Sequence, residues 1–520
     1  MAFPQELLDS LRRAPEDVAF EHGERRVRRG EVLDLVGRFV AGLRAAGVRA
    51  GDGVGIATGV TPEGWAAQIA VQTLGARAVG VRSGLPAAHL DAVLDGVAAV
   101  VTDAELPAPA GARTLPIGPE LLAAYEEPVP CGKPSDVGWV VFTSGSTGVP
   151  KGVAYRFDAL AEFGLEQRAG DSAEDYRRFL LFGTLSSAVM VLHLQACLLA
   201  GGTAVIPEGL PDFPWILPRL DITAALVTVP RLYRMLDVLR EEEIELSGLR
   251  MLTVAGSPVE PGLLAEGFAR IGPALRQGYG QTETGKLTVL DTADVSARPE
   301  AIASVGLPVE GVSLEVRDAS GRAVPAGQTG EVFARTARAF AGYWRDPVLS
   351  ATVLADGWVR TQDIGRLDEH GFLYLTGRAR DVVIVNAVIH YTGPIERAIA
   401  AHSAVDQAYV VAVPDERTGE AAHAFVVAAP GGVVDEGELR AVVAAELGDA
   451  AVPVSFTVMD EVAVAASGKP DKGALRKLVV GRPRVPQKPG LGGGWGKKKK
   501  QNAARAVGFM PGGWWVRVGG

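Results

Sequence analysis

The sequence predicts an α/β protein with a large N-terminal domain of helix-covered sheets, a small β-barrel-like subdomain and a small α+β C-terminal domain. Apolar strands alternate with amphipathic helices over most of the chain before Leu307. Short strands separated by Gly/Pro turns follow, from about Leu307 to Arg360. Beyond Gly377 a compact run of strands and helices begins. Alternation of helices with strands is typical of sheets covered on both faces.

The N-terminal alternation is clearest in its first units. "GEVLDLVGRFVAGLRAAGV" has apolar residues at helical spacing, and "GDGVGIATGV" then predicts a strand. "PEGWAAQIAVQTLGA" predicts the next helix and "RAVGVRS" the next strand. Repetition of this unit indicates parallel strands joined by crossover helices.

The pattern changes twice towards the C-terminus. "GVSLEVRDASGRAVPAGQTGEVFARTA" predicts short antiparallel strands, the basis for the small barrel-like subdomain. "DVVIVNA", "PIERAIAAH", "DQAYVVAVP", "AAHAFVVAAP" and "DEGELRAVVAAEL" predict the strands and helices of the α+β unit. We expect domains at residues 1–377 and 378–480. The glycine-rich remainder, 481–520, has no apolar period and is expected to be a disordered tail.

Composition excludes several classes of protein. The 520 residues exceed one ordinary core, and the net charge of −9 disfavours a nucleic-acid binder. Cys131 and Cys197 are the only cysteines, too few for a disulfide framework or a zinc motif. No run of about twenty apolar residues predicts a membrane span. The first residues lack the pattern of a signal peptide, so we expect a cytoplasmic protein.

One loop points to a phosphate ligand. "VFTSGSTGVPKGV" runs from Val141 to Val153 and follows a predicted strand. Glycines free backbone N–H groups to converge on an anion, hydroxyls add donors, and Lys151 adds a mobile positive charge. The spacing differs from the GxxxxGK[ST] loop. An ordinary surface turn is the alternative, but lysine is rare before the C-terminal tail, which favours a functional Lys151.

Further stretches narrow the interpretation. "QGYGQTETG", from Gln277 to Gly285, places an aromatic ring, hydroxyls and a carboxylate in one glycine-flanked turn. Glutamate oxygens suit Mg²⁺. "RTQDIG" supplies Asp363, which would accept hydrogen bonds from a ribose, and "SGKPDKGALRK" places Lys469 in a loop before a short helix.

Together these motifs resemble the adenylate-forming enzymes: acyl- and aryl-CoA synthetases, peptide-synthetase adenylation domains and beetle luciferases. The resemblance covers roughly Gln5 to Leu478. "FTSGSTGVPKG" is similar to the family's phosphate loop, "AGSPV" to its adenine-side loop and "YGQTE" to its adenylate motif. "GRARD" is similar to its hinge motif, and "RTQDIG" to its ribose-binding motif, with Gln362 where glycine is usual.

The resemblance implies roles for individual residues. The leaving phosphates would be held by Thr143, Ser144, Gly145, Ser146, Thr147, Gly148 and Lys151. The adenylate would be bound by Gly256, Ser257, Tyr279, Gly280, Gln281, Thr282, Asp363 and Arg378. Within that set Tyr279 would stack on adenine, Thr282 would contact the α-phosphate and Asp363 the ribose. Glu283 would hold Mg²⁺.

The family's reaction joins ATP and an acid into an acyl-adenylate with release of pyrophosphate, and then passes the acyl group to an acceptor, commonly CoA. Lys469 would stabilise the developing charge electrostatically, with Thr282 and Glu283 as further catalytic residues. Arg380 lies where the family pivots its C-terminal domain, so the resemblance implies a mobile domain.

Two departures bear on the acceptor and the acid. "NAV", Asn386 to Val388, stands where CoA ligases have glycines, and side chains there would narrow a passage for a thiol arm. "LLFGTLSSA", from Leu180 to Ala188, stands where the family usually has Pro-Leu-Phe-His before the acid pocket. Gly183, Thr184 and Leu185 thus replace the family's aromatic or histidine gate.

Three functions therefore remain open. The first is an ATP-dependent acyl- or aryl-CoA synthetase that uses a small or medium acid. The second is a secondary-metabolism enzyme that adenylates without CoA, such as a diazotase that passes adenylated nitrite to an aryl amine. A carrier protein is a further possible acceptor. The third is a non-catalytic nucleotide-binding protein, which the presence of Lys151, Glu283, Asp363 and Lys469 disfavours.

Overall fold

The computed structural model describes residues 3–82, 85, 87–104, 106, 111–143, 150–170, 173–209, 212–379, 381–385, 388–415, 418–429, 431–463 and 470–480. By its internal contacts, Met1–Val480 forms one compact unit. Residues 481–520, the tail that we expect to be disordered, lie outside the described residues. The domain boundary that we place between Gly377 and Arg378 stays a prediction.

The strands of the described chain are β1 (Val18–His22), β2 (Arg25–Arg28), β3 (Gly53–Ala57), β4 (Arg77–Gly80), β5 (Ala99–Thr102), β6 (Arg113–Pro116), β7 (Val137–Thr143), β8 (Lys151–Arg156), β9 (Arg178–Leu180), β10 (Thr203–Ile206), β11 (Ala224–Val227), β12 (Met251–Val254), β13 (Leu275–Gln281), β14 (Gly285–Leu290), β15 (Leu307–Pro308), β16 (Ser313–Arg317), β17 (Gly330–Arg335), β18 (Gly342–Tyr343), β19 (Leu354–Ala355), β20 (Trp358–Leu367), β21 (Leu373–Arg378), β22 (Val382–Val385), β23 (Val388–Tyr391), β24 (Val405–Asp415), β25 (Gly419–Ala428) and β26 (Ser455–Met459).

The α-helices of the same residues are α1 (Gln5–Arg13), α2 (Arg29–Ala45), α3 (Pro62–Thr73), α4 (Ala87–Val93), α5 (Phe157–Gly170), α6 (Ala188–Leu199), α7 (Ile216–Arg219), α8 (Val229–Glu241), α9 (Pro261–Ile271), α10 (Thr292–Ala297), α11 (Pro347–Val353), α12 (Thr392–Ala400), α13 (Glu436–Leu447) and α14 (Lys472–Val480). Short 3₁₀ turns occupy Gly272–Ala274, Pro299–Ala303 and Asp449–Ala451.

Local sequence explains where several helices begin. The side chain of Thr61 accepts a hydrogen bond from the backbone N–H of Gly64, and Pro62 occupies the first turn of α3. Glu260 caps α9 in the same way, with Pro261 after it. Side-chain caps satisfy N–H groups that a helix leaves without partners, and proline fits the first turn because it has no N–H to lose.

In the part of the chain that the structure describes, the strands form four sheets. The largest has the order β15-β14-β13-β12-β11-β9-β10-β1-β2, and the second β18-β8-β7-β4-β3-β5-β6. Strands β16, β17, β20, β19 and β21 form a smaller antiparallel sheet. Strands β23, β22, β25, β24 and β26 form the C-terminal sheet. The predicted α/β fold class with its smaller units is confirmed, and the small sheet reaches Arg378, beyond the Arg360 that we expected.

Sheet register brings the predicted motifs to neighbouring strand ends. Strands β12 and β13 are parallel, with Val254 opposite Gln277. The adenine-side loop and the adenylate turn therefore leave the largest sheet at the same edge, where ligands of open α/β sheets commonly bind. Among the described residues, no helix combines the length and apolar character that crossing a bilayer requires.

Candidate active site

The predicted phosphate loop connects two antiparallel strands. Strand β7 ends at Thr143 and β8 begins at Lys151, and these two residues are opposite each other in the register. The Thr143 hydroxyl donates to the Lys151 carbonyl at 3.5 Å. The hairpin therefore fixes both ends of the loop. Ser144, Gly145, Ser146, Thr147 and Gly148 lie outside the described residues, so their roles stay predictions.

The adenylate motif forms a tight turn between β13 and β14. Thr284 closes it, because its N–H donates to the Gln281 carbonyl at 3.1 Å and its hydroxyl accepts the Gln281 N–H at 3.2 Å. A Cβ at Gly280 would lie 2.1 Å from the carbonyl oxygen of Gly285. No side chain fits that gap, so glycine at Gly280 is a steric requirement of the turn.

The second sheet holds the part of this turn that carries Thr282 and Glu283. The hydroxyl of Tyr155 on β8 donates to the Thr282 carbonyl. The Phe340 N–H donates to the Glu283 carbonyl at 2.9 Å. The hydroxyl of Tyr343 on β18 donates to Glu283 Oε1 at 2.8 Å. Both the backbone and the carboxylate of Glu283 are thus fixed beside the strand that begins with Lys151.

Asp363 is the centre of a second polar cluster. Its Oδ2 accepts the Tyr279 hydroxyl at 2.6 Å and the Gln281 amide at 2.7 Å. Its Oδ1 lies 3.2 Å from Nε of Arg378, which is opposite it on β21. The Asp363 side chain is only 7% exposed whereas that of Arg378 is 58% exposed. The structure therefore brings together four residues that the sequence assigned to one nucleotide site.

Burial and charge set the protonation states of this cluster. Burial, and secondly the Asp363 carboxylate, raise the pKa of Tyr279 well above its usual range. Burial and then Glu283 raise the pKa of Tyr155 in the same way. Burial alone would lower the pKa of Arg378, but Asp363 and Asp381 outweigh it and the net shift is upward. Both phenols therefore remain neutral donors and Arg378 remains a cation.

Gln362 occupies a position at which the family usually has glycine, and the backbone conformation there shows why glycine is favoured. Its φ is +62°, in the left-handed region that disfavours side chains. The Gln362 carbonyl accepts the N–H of Ala379 at 2.8 Å, which ties the ribose motif to the strand end that precedes the hinge. A residue with a side chain adopts this backbone conformation at a cost in free energy, and Gln362 adopts it nevertheless.

The adenine-side loop lies beside the adenylate turn. Gly256 and Ser257 follow β12 after one residue, Ala255, and the φ of Gly256 is +98°. A Cβ at Gly278 would meet Thr253 Cγ2 at 3.4 Å and Ala255 Cβ at 3.9 Å, which are ordinary contacts. The start of the adenine-side loop therefore lies next to β13, the strand that leads into the adenylate turn. Adenine contact by Gly256, Ser257 or Tyr279 stays a prediction.

Several predicted residues lie outside the part of the chain that is described. These are the loop residues above, the hinge residue Arg380, the catalytic Lys469, and Asn386 and Ala387 of the departing segment. Val388 is described, begins β23 and is 52% exposed.

Sequence reasoning missed Tyr155 and Tyr343, which hold the adenylate turn from the second sheet. Tyr155 sits within a buried strand, where an aromatic residue predicts only core packing. Tyr343 follows Gly342 in a two-residue strand that no periodicity reveals. Both contacts join residues far apart in the chain, so a local pattern carries no signal for them.

The Glu283 side chain is suited to be a magnesium ligand. Tyr343 occupies Oε1, and the carboxylate forms no ion pair with any described residue, so its other oxygen is available to a cation. Among the described residues no group of three or more His, Cys, Asp or Glu side chains clusters to hold a metal by itself. That donor set suits Mg²⁺ bound by one carboxylate together with nucleotide phosphates.

Comparison with known proteins identifies the family. The AMP-binding enzyme model matches residues 7–344, and the model of the AMP-binding enzyme C-terminal domain matches residues 394–469. The chain belongs to the AMP-binding enzyme family. It is an ATP-dependent, AMP-forming ligase of the adenylate-forming superfamily, as the sequence predicts.

Relatives of this AMP-binding enzyme differ in their named acceptors. A feruloyl-CoA synthase from Amycolatopsis sp is 32% identical over 90% of this chain and 96% of its own. A fatty acid–[acyl-carrier-protein] ligase, ScoC of Streptomyces coeruleorubidus, is 34% identical over 63% of this chain and 65% of its own. The structure of amide bond synthetase McbA from Marinactinospora thermotolerans superimposes with a TM-score of 0.81, at 30% identity, over 91% of this chain and 99% of its own.

Proposed function

We propose that this ligase activates a small or medium carboxylic acid, with aryl acids of the ferulate class first, and transfers the acyl group to CoA. The observation that carries the proposal is similarity to a feruloyl-CoA synthase along nearly the whole chain. The arrangement of Asp363, Tyr279, Gln281 and Arg378 beside Glu283 supports it, because these residues form one polar surface for a nucleotide.

In the first half-reaction a carboxylate oxygen of the acid attacks the α-phosphorus of ATP, and the bond to the β-phosphate oxygen breaks to release pyrophosphate. Asp363 accepts hydrogen bonds from the ribose hydroxyls and Arg378 lies against the nucleotide. The Lys151 ammonium stabilises the negative charge on the leaving phosphates, and the Lys469 ammonium stabilises the negative charge that develops at the reacting centre. Fixed cations of this kind contribute because they are placed before the charge develops.

Magnesium would be held by Glu283 and the nucleotide phosphates. When bound, it neutralises phosphate charge as pyrophosphate leaves. The part of the protein is to hold the Glu283 carboxylate in one orientation. Tyr343 and the Phe340 N–H support this role, since they hold the two ends of the same residue.

In the second half-reaction the CoA thiolate attacks the acyl carbonyl of the adenylate, and AMP leaves as the thioester forms. Movement of the C-terminal domain about Arg380 would take Lys469 away from the adenylate and bring the thiol passage to it. Val388, exposed at the start of edge strand β23, is the last residue of the segment in which this chain departs from CoA ligases.

An amine acceptor is the second candidate. Similarity to an amide bond synthetase over 91% of this chain favours it, as does a β-branched Val388 where glycine would leave room for a thiol arm. In that case the enzyme would serve secondary metabolism, and nitrite with an aryl amine belongs among its candidate substrates.

Incubation with ATP, Mg²⁺ and a panel of acids, including ferulate, benzoates, fatty acids and nitrite, tests both candidates. Pyrophosphate release identifies the acid, and mass spectrometry with CoA, aryl amines or neither identifies the acceptor. A CoA thioester that forms as fast as pyrophosphate supports the first proposal. Pyrophosphate release with an amide or diazo product and no thioester contradicts it and supports the second.

Val388→Gly separates acceptor choice from adenylation. If the side chain narrows the thiol passage, the variant should form more thioester at an unchanged rate of pyrophosphate release. Val458→Gly is a matched control, because Val458 on β26 is a similarly exposed strand valine elsewhere in the C-terminal sheet.

A further inference from the structure

We propose that Tyr343 is a positioning residue for adenylation, which holds the Glu283 carboxylate with its hydroxyl and the Lys151 ammonium with its ring. The inference rests on the proposed roles of Glu283 at magnesium and of Lys151 at the leaving phosphates. In this arrangement a single side chain holds the carboxylate and the ammonium near each other without an ion pair between them.

The hydroxyl contact is built into the fold. Tyr343 donates to Glu283 Oε1 at 2.8 Å. Its own N–H donates to Ser350 Oγ at 2.8 Å, and its ring meets that of Phe340 edge-on at 5.1 Å. Strand pairing with β8 sets Tyr343 opposite Val153. These contacts fix the tyrosine, so its hydrogen bond selects one orientation of the carboxylate.

The ring contact involves the lysine of the phosphate loop. Lys151 Nζ lies 5.8 Å from the centroid of the Tyr343 ring, within the range of cation–π attraction. Lys151 forms no ion pair with any residue that the structure describes. The ring therefore holds the ammonium by its quadrupole, with no counter-ion among the described residues to compete with phosphate.

The position of the phenol between the two charges carries the inference. A direct pair between Lys151 and Glu283 would neutralise both groups and occupy the oxygen that a metal needs. No such pair forms, although both side chains contact the same tyrosine. Each charge is thus held by a neutral group and stays available to its own ligand, the metal ion for Glu283 and the phosphates for Lys151.

Two substitutions separate the hydroxyl from the ring. Tyr343→Phe keeps the ring and should raise the Mg²⁺ concentration for half-maximal ATP–pyrophosphate exchange about 10-fold, the usual effect of removing a partner of a metal-ligating carboxylate. The KM for ATP at saturating Mg²⁺ should change little. Tyr343→Leu removes both contacts and should raise that KM as well.

Tyr125→Phe is the matched control. The Tyr125 hydroxyl donates to Glu127 Oε2 at 2.7 Å, the same chemistry on an exposed surface, and its loss should leave both constants unchanged.

A binding measurement complements the kinetics. The rise in melting temperature caused by ATP with Mg²⁺, compared with ATP in EDTA, reports the metal-dependent part of binding. Tyr343→Phe should reduce the Mg²⁺-dependent part of the rise in melting temperature and leave the rise in EDTA unchanged. Glu283→Gln should abolish the Mg²⁺-dependent part. In the Glu283→Gln background, Tyr343→Phe should have no further effect on Mg²⁺ dependence, because it acts through Glu283.

The outcomes distinguish this inference from the proposal beneath it. Wild-type Mg²⁺ dependence in Tyr343→Phe, with an effect in Glu283→Gln, overturns the role of Tyr343 alone. Equal Mg²⁺ dependence of wild type and Glu283→Gln overturns the magnesium role of Glu283 and this inference with it.

Discussion

The hydroxyl of Tyr279 donates to the carboxylate of Asp363 at 2.6 Å, although 84 positions separate them in the chain. Tyr279 belongs to the largest sheet and Asp363 to the small antiparallel sheet. Gln281 donates to the same carboxylate oxygen at 2.7 Å. A ribose that binds Asp363 would therefore lie beside the adenylate motif, at the place where the two sheets meet.

Asp363→Ala should raise the KM for ATP about 10- to 100-fold, the range expected for hydrogen bonds to a charged group. The change also leaves the Tyr279 hydroxyl and Arg378 without their carboxylate partner. ATP–pyrophosphate exchange as a function of ATP concentration measures the KM for ATP. Asp34→Asn, at an exposed ion pair with Arg38 on α2, should leave the KM unchanged. A wild-type KM in Asp363→Ala would disprove a ribose-binding role.

Gly280→Ala should lower the melting temperature by several degrees and reduce exchange about 100-fold, because a misplacement near 1 Å at a reacting centre has effects of that size. The new methyl would collide with the Gly285 carbonyl. Gly278→Ala, two residues away, places its methyl at ordinary contact distances and should keep the melting temperature of the parent. Equal melting temperatures for the two variants would contradict the steric explanation.

Lys469→Ala should slow adenylate formation about 10²–10³-fold, the effect of removing one electrostatic contact to a transition state. Binding of ATP should change little, since its other predicted contacts, Arg378 included, do not depend on Lys469. Single-turnover formation of the adenylate measures the rate. Lys477→Ala, an exposed lysine near the end of α14, is the control. Adenylation at the parent rate in Lys469→Ala would remove the catalytic assignment.

Lys472→Met should destabilise the C-terminal domain by about 1–3 kcal/mol, because it leaves the partly buried Glu396 carboxylate without its partner. Lys472 Nζ lies 2.8 Å from Glu396 Oε1 and 3.6 Å from Asp381 Oδ2. Lys472→Met with Glu396→Gln should recover much of the loss. Thermal unfolding followed by circular dichroism tests the pair, and a double variant no more stable than the single one would argue against it.

His193 should make the protein less stable as the pH falls from 7 to 5. Burial, and then the Lys286 ammonium, lower its pKa from 6.5 to about 3. The unfolded chain therefore binds a proton below pH 6.5 that the folded protein does not bind, which costs about 2 kcal/mol at pH 5. His193→Asn keeps an acceptor near the Tyr176 hydroxyl, 2.7 Å from Nδ1 of His193, and should reduce this loss. Identical pH profiles of melting temperature for variant and parent would contradict it.

The alternating α/β architecture, the family and the positions of the motifs could all be predicted from the amino-acid sequence. Apolar periodicity predicts helices and strands, because burial of one face is a local property of the chain. The tight turn at Gly280 could also be predicted, since such a turn needs glycine at a particular position. The anion cradle before Lys151 stays a prediction, because most of that loop lies outside the described residues.

The side chains that support the motif residues, in contrast, are revealed only by the folded structure. Tyr155 and Tyr343 reach the adenylate turn from another sheet, and Asp363 meets Tyr279 across two sheets. Gln362 adopts a positive φ that its residue type disfavours, and its carbonyl accepts the N–H of Ala379, which follows β21. Such contacts depend on how sheets pack and register, and many sequences with the same local pattern would place these side chains differently.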